Sequence, residues 1–199
     1  MIRCPIESVS LVSSSKGPLI RTPTEEMDNG KDIFTDGSKI GGQVGAAAVI
    51  IKYDTIIHQA KYKLHKICSN KQAEQIVILK VLEQLPNFIV TEGVKTAVIN
   101  TDSKITLDTL RNKQKHNSII EKISSELTRL EELRWTVLFR WVKAHAGILG
   151  NEMSDRLAKK AAAEEGEIVI HKIPRAIIVS EEKIKSPTRW QLQWNETNK

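Results

Sequence analysis

Residues 32–64, DIFTDGSKIGGQVGAAAVIIKYDTIIHQAKYKL, carry the pattern on which the fold turns. Within them DIFTD (32–36), QVGAAAVIIKY (43–53) and TIIHQAKYKL (55–64) are runs of strand-forming residues. Gly41-Gly42 and Tyr53-Asp54 lie between them as turn pairs, so the stretch predicts three strands in an antiparallel meander.

Working outward from the meander, Lys71 to Leu85 places Val77, Ile78, Val81, Leu82 and Leu85 at helical spacing, and Pro86 then stops the helix. VKTAVINT (94–101) is a short apolar run of strand type. A helix through ITLDTL follows it, then a basic connector with Arg111, Lys113, Lys115 and His116, then an amphipathic helix bearing Ile119, Ile120, Ile123, Leu127 and Leu130. RWTVLFRWV (134–142) makes a fifth strand. After the loop KAHAGILG, residues 151–164 form a last helix, with Asn151 as its cap and Met153, Leu157, Ala158 and Ala161 on one face. The order βββαβααβα implies an α/β fold. Its sheet is mixed and five-stranded, antiparallel at first and parallel later, with helices over both faces.

The 199 residues suffice for one domain over 31–164 with extensions at either end. Residues 1–30 mix Pro5, Pro18, Pro23 and Ser13-Ser14-Ser15 without an apolar period and read as a leader or linker. Residues 165–199 read as an extension in which Ser186-Pro187 starts a short helix bearing Trp190 and Trp194. No run approaches the length of a membrane span or a secretory signal, which places the protein inside the cell, in nucleus or cytoplasm, with no membrane partner. Cys4 and Cys68 are too few for a disulfide framework or a zinc site. A net charge of +6 permits a polyanionic partner without demanding one.

Four acids stand where an explanation is needed. Asp36 ends the first strand, Glu74 lies in the first helix, Asp102 follows the fourth strand, and Asp155 begins the last helix. Singly, each has an ordinary reading: a turn residue at Asp36, a helix cap at Asp102 or Ser103, and first-turn anions at Glu74 and Asp155. Glu74, however, precedes Val77 and Ile78 by one turn, so it leans over the face that packs on the sheet. Neighbouring first and fourth strands would bring Asp36 and Asp102 together beneath the starts of both helices. Carboxylates that close raise one another's pKa unless about +4 of charge sits among them. Two divalent cations meet that need, and oxygen-only ligands favour Mg2+, with Mn2+ as a substitute. Paired ions suit in-line attack on a phosphodiester.

IFTDGS, SNKQAE, INTDS and WVKAHAGILGNEMSDRLAKKAA resemble, in order and spacing, the four motif blocks of type 1 ribonuclease H. The last block is the most specific. The resemblance implies a ribonuclease H-like fold and hydrolysis of the RNA strand of RNA-DNA hybrids, leaving 5'-phosphate and 3'-hydroxyl ends. It makes Asp36, Glu74, Asp102 and Asp155 the metal-binding acids, with Asp36 bridging both ions. His145 takes the position of the family's mobile-loop histidine, which assists proton movement or product release. Gly37 and Ser38 match positions where the backbone approaches the RNA strand and its 2'-hydroxyls. Asn70 matches a minor-groove contact, and Ser69 a hydroxyl on a DNA-strand phosphate, although Ser69 reads equally well as a helix cap.

Two departures stand out. Ala144 replaces the glycine common before the loop histidine, which implies a stiffer loop or one on a somewhat different path. The basic handle helix of some cellular members is reduced to the short connector. The Trp190 and Trp194 pair in RWQLQWNETNK looks like sequence downstream of ribonuclease H domains in non-LTR retrotransposon polyproteins, which implies a neighbouring reverse transcriptase. Taken as an isolated domain, the protein is expected to be a monomer. A free-standing cellular ribonuclease H and a non-catalytic hybrid-binding module are the alternatives.

Overall fold

Two tight turns set the sheet. In a computed structural model describing residues 10–12, 19–21, 31–87, 95–112 and 117–169, Gly41 and Gly42 take φ of 57° and 78°, and Tyr53 and Asp54 take 49° and 56°. Two consecutive left-handed residues give a hairpin turn whose twist matches that of the strands it joins. The elements are β1 (Ser10–Val12), β2 (Leu19–Arg21), β3 (Lys31–Ile40), β4 (Gln43–Lys52), β5 (Thr55–Leu64), α1 (Asn70–Gln84), β6 (Thr96–Thr101), α2 (Lys104–Arg111), α3 (Ser118–Glu132), β7 (Thr136–Trp141) and α4 (Leu149–Ala163). From Lys31 onward the order is βββαβααβα, with β3, β4 and β5 antiparallel and β6 and β7 parallel additions.

The strands lie in the order β2-β1-β7-β6-β3-β4-β5. The expected five strands therefore gain two more at the β7 edge, where Leu11 and Val12 of the stretch read as a leader pair with Phe139 and Leu138. Such edge pairing is made by backbone groups and leaves no apolar period to read. At the opposite edge, Ile168 bridges to Lys63 and the Val169 N–H donates to the Lys63 carbonyl. The readings for Lys113, Lys115, His116, Trp190 and Trp194 lie outside the described residues.

β4 is buried from Val44 to Ile50, as a strand covered on both faces must be. α1 packs on one face of β3 and β4, and α4 on the other. α1 also packs against α2 and α3, so Ile76 and Leu79 are buried along with the face anticipated from its spacing. Its N-terminus is closed by a capping box: the Gln72 N–H donates to Ser69 Oγ at 3.2 Å, and the Ser69 N–H donates to Gln72 Oε1 at 2.8 Å. Ser69→Ala is expected to cost about 1 kcal/mol of stability, read as a lower urea midpoint at unchanged slope.

The last helix departs from expectation at its start and on its buried face. It begins at Leu149 and has no side-chain cap, so Asn151 is not the cap but a residue of the first turn. Its buried positions are Gly150, Asn151, Ser154, Ala158, Ala161 and Ala162, whereas Met153 and Leu157 are half-buried. Close approach accounts for this choice. A Cβ at Gly150 would collide with the Phe34 ring, and one at Gly45 would lie 2.7 Å from the Ala161 carbonyl carbon. The space between helix and strand admits only small side chains.

Candidate active site

Strand lengths create the site. β3 continues to Ile40, so Asp36 does not end its strand as the turn-pair reading had it; it sits inside β3 opposite Ala47. β6 stops at Thr101, whose partner on β3 is Thr35. Asp36 therefore lies one residue past the last β6 partner, and Asp102 is the first residue beyond β6. Ser103 rather than Asp102 caps α2, its Oγ accepting from the Thr106 N–H at 3.4 Å, and the Asp102 carboxylate is left to face its neighbours.

Carboxylate oxygens of Asp36, Glu74 and Asp102 lie within 4.8 Å of one another. Glu74 reaches the cluster because β3 and α1 almost touch: a Cβ at Gly37 would stand 2.6 Å from the Glu74 nitrogen and 2.8 Å from the Ala73 Cβ. Asp155 is not within that 4.8 Å set. It is near enough for its charge to act on Asp36 and Asp102, and its Oδ2 lies 2.7 Å from Lys159 Nζ.

The electrostatics are those of crowded anions. Burial, then the charges of Asp102 and Asp155, push Asp36 up to about 8, against a donated Gly37 N–H at 2.8 Å and with a further upward push from Glu74. Burial raises Glu74, opposed by a hydrogen bond from Ser103, with Asp102 raising it further and Lys71 lowering it. Asp102 is raised by burial and by Asp155, and lowered by backbone hydrogen bonding, by His145 and by a hydrogen bond from Asn151.

His145 is exposed and takes φ of 53°, a left-handed conformation unusual for a residue other than glycine, two residues before Gly147 at 76°. It lies near enough to Asp102 to count among the groups that lower that acid's pKa. The hybrid-contact candidates have local partners too. Asn70 Nδ2 donates to Glu74 Oε1 at 3.0 Å, Ser69 is engaged as the α1 cap, Gly37 allows the β3–α1 approach, and Ser38 is buried.

Sequence reasoning overlooked several supporting residues. Asn151 is 3% exposed, holds Asp102, and has a buried Oδ1 with no partner. Trp141 Nε1 donates to the Asp102 carbonyl at 3.1 Å, and Ser103 bonds to Glu74. Asn151 stands four residues before Asp155, the same-face spacing of a helix, which is the signal that points to it. Crowded oxygens with raised pKa values and an orphaned carbonyl beside them are what hard divalent cations require, so this donor set fits such an ion.

The RNase H family profile matches residues 28–163. The ribonuclease H of Vibrio vulnificus (strain YJ016) is 29% identical over 142 residues, covering 66% of this chain and 88% of that protein. The Pol polyprotein of caprine arthritis encephalitis virus is 26% identical over 153 residues, covering 76% of this chain and 12% of that protein. Among solved structures, LC11-RNase H1 in complex with an RNA/DNA hybrid superposes with a TM-score of 0.51 at 20% identity, covering 66% of this chain and 98% of that one. With three of the acids gathered at the end of β6 and the family match running through the elements of all four, the chain belongs to the ribonuclease H family of nucleases.

Proposed function

We propose that this protein hydrolyses the RNA strand of RNA-DNA hybrids, with Asp36, Glu74, Asp102 and Asp155 holding two Mg2+ ions, or Mn2+ in their place. The observation that carries the reading is the 4.8 Å convergence of three carboxylates drawn from separate elements, with Asp36 raised to about 8. Such a cluster is unfavourable in the folded protein until cations neutralise it. When bound, the ions would activate a water and stabilise the departing 3'-oxygen.

The chain's own residues prepare for that chemistry. Asn151 and the Trp141 indole orient Asp102 from its two ends, and Ser103 orients Glu74. His145, exposed on its loop, takes or gives a proton at the product phosphate. Gly37 and Ser38 present backbone toward the RNA strand. Asn70 and Ser69, at the start of α1, lie along the hybrid, Asn70 exchanging its bond to Glu74 for the minor groove.

The setting we favour is reverse transcription, beside a polymerase in the same polyprotein, with template RNA removed after first-strand synthesis. The Trp190 and Trp194 tail and the match to a Pol polyprotein support it; the match to a bacterial ribonuclease H along 88% of its length supports a free-standing enzyme. A genomic reading frame with an upstream polymerase would favour the first, and an isolated gene the second.

Purified protein with Mg2+ should cut the RNA strand of a hybrid, leaving 5'-phosphate and 3'-hydroxyl ends, and spare RNA-only and DNA-only duplexes. A hybrid that is bound yet left intact under these conditions would refute the hydrolytic reading.

A further inference from the structure

We propose that the Lys159 ammonium is a tethered counter-cation, holding Asp155 apart from the other three acids in the metal-free protein and yielding it when a divalent ion binds. The inference rests on the two-cation reading above. Asn151, Asp155 and Lys159 follow at four-residue intervals along α4 and so stack on one face of the helix. At the first of these positions Asn151 bonds to Asp102, inside the cluster. At the other two, Asp155 Oδ2 meets Lys159 Nζ at 2.7 Å, and Asp155 is the one acid of the four outside the 4.8 Å convergence.

The pair is placed for exchange rather than for permanence. The Asp155 side chain is 19% exposed and that of Lys159 48%, so the ammonium can leave for water along its flexible stem. Exposed pairs at this spacing are weak, and a divalent ion held by several carboxylates outcompetes one ammonium. Asp36 and Glu152 add to the attraction that Asp155 exerts on the Lys159 ammonium. Lys160, the next residue, pairs instead with Glu164 at 3.5 Å, a partner it shares with Lys61.

That neighbour supplies the control. Mn2+ binding to the full chain is measured by calorimetry for the wild type, Lys159→Met, Lys160→Met and Asp36→Asn, with the Mg2+ concentration for half-maximal cleavage recorded in parallel. Lys159→Met is expected to bind Mn2+ about three- to fivefold more tightly and to need correspondingly less Mg2+. Lys160→Met, which loses the same charge, should match the wild type. Equal constants for the two methionine variants, or weaker binding by Lys159→Met, would overturn the counter-cation role and leave the metal site standing. If Asp36→Asn bound Mn2+ as the wild type does, the metal reading itself would fall, and this inference with it.

Discussion

Asp36→Asn is expected to reduce hybrid cleavage by at least about a thousandfold while making the metal-free protein more stable. The two effects share one cause. Asp36 is raised from 3.8 to about 8 by burial and by the charges of Asp102 and Asp155, so near pH 6 the folded protein holds a proton that the unfolded chain has released. A state that binds more protons loses ground as pH rises. Asp36 therefore contributes stability that is present at pH 4 and lost progressively by pH 8. Melting temperatures of metal-free wild type should fall between pH 5.5 and 8.5, and Mg2+ should restore them at the upper end by neutralising the cluster. The asparagine variant, which has no charge to bury at this position, should show a flatter profile and gain about 2 kcal/mol at pH 8, with no rescue by Mg2+. Full activity in this variant would dismiss the carboxylate mechanism, and a wild-type profile rising with pH would dismiss the electrostatic account.

Gly45→Ala is expected to destabilise the domain by about 3 kcal/mol, or a loss of about 10 °C in melting temperature for a domain of this size. The added methyl would meet the Ala162 nitrogen, the Ala158 carbonyl oxygen and the Ala161 carbonyl carbon. These are backbone atoms of α4, and no side-chain rotation can move them aside. The helix must tilt off the sheet, carrying Asn151 and Asp155 with it, so activity should fall along with stability. Gly166→Ala serves as the comparison, because a Cβ there meets nothing within 4 Å. Equal melting curves for the two alanine variants would show that the strand-to-helix approach does not constrain the fold.

The legible features were those set by local chemistry. Turn residues at 41–42 and 53–54, the alternation of strands with helices, and the spacing of α3 all follow from patterns a few residues long. Ser69 illustrates a partial reading: its type and its distance from Gln72 mark a cap, and the capping box is present. Asn151 illustrates the opposite case. By residue type it reads as a helix cap, yet the backbone enters α4 two residues earlier, and burial against Asp102 gives its amide other work. Met153 and Leu157 misled for a related reason. They are the larger apolar groups of α4, but the close approach of Gly45 to Ala158, Ala161 and Ala162, and of Phe34 to Gly150, leaves room only for small residues there.

What the sequence determined by itself was the order of elements, the family and the acids to watch, because motif spacing and side-chain type are properties of the chain alone. Tertiary structure decided the rest: that β6 ends one residue short of Asp36, that Glu74 arrives by the contact of α1 with Gly37, and that Asp155 stands aside with Lys159. Those relations depend on strand register and on the distance between helix and sheet, which arise only when segments far apart in sequence pack together.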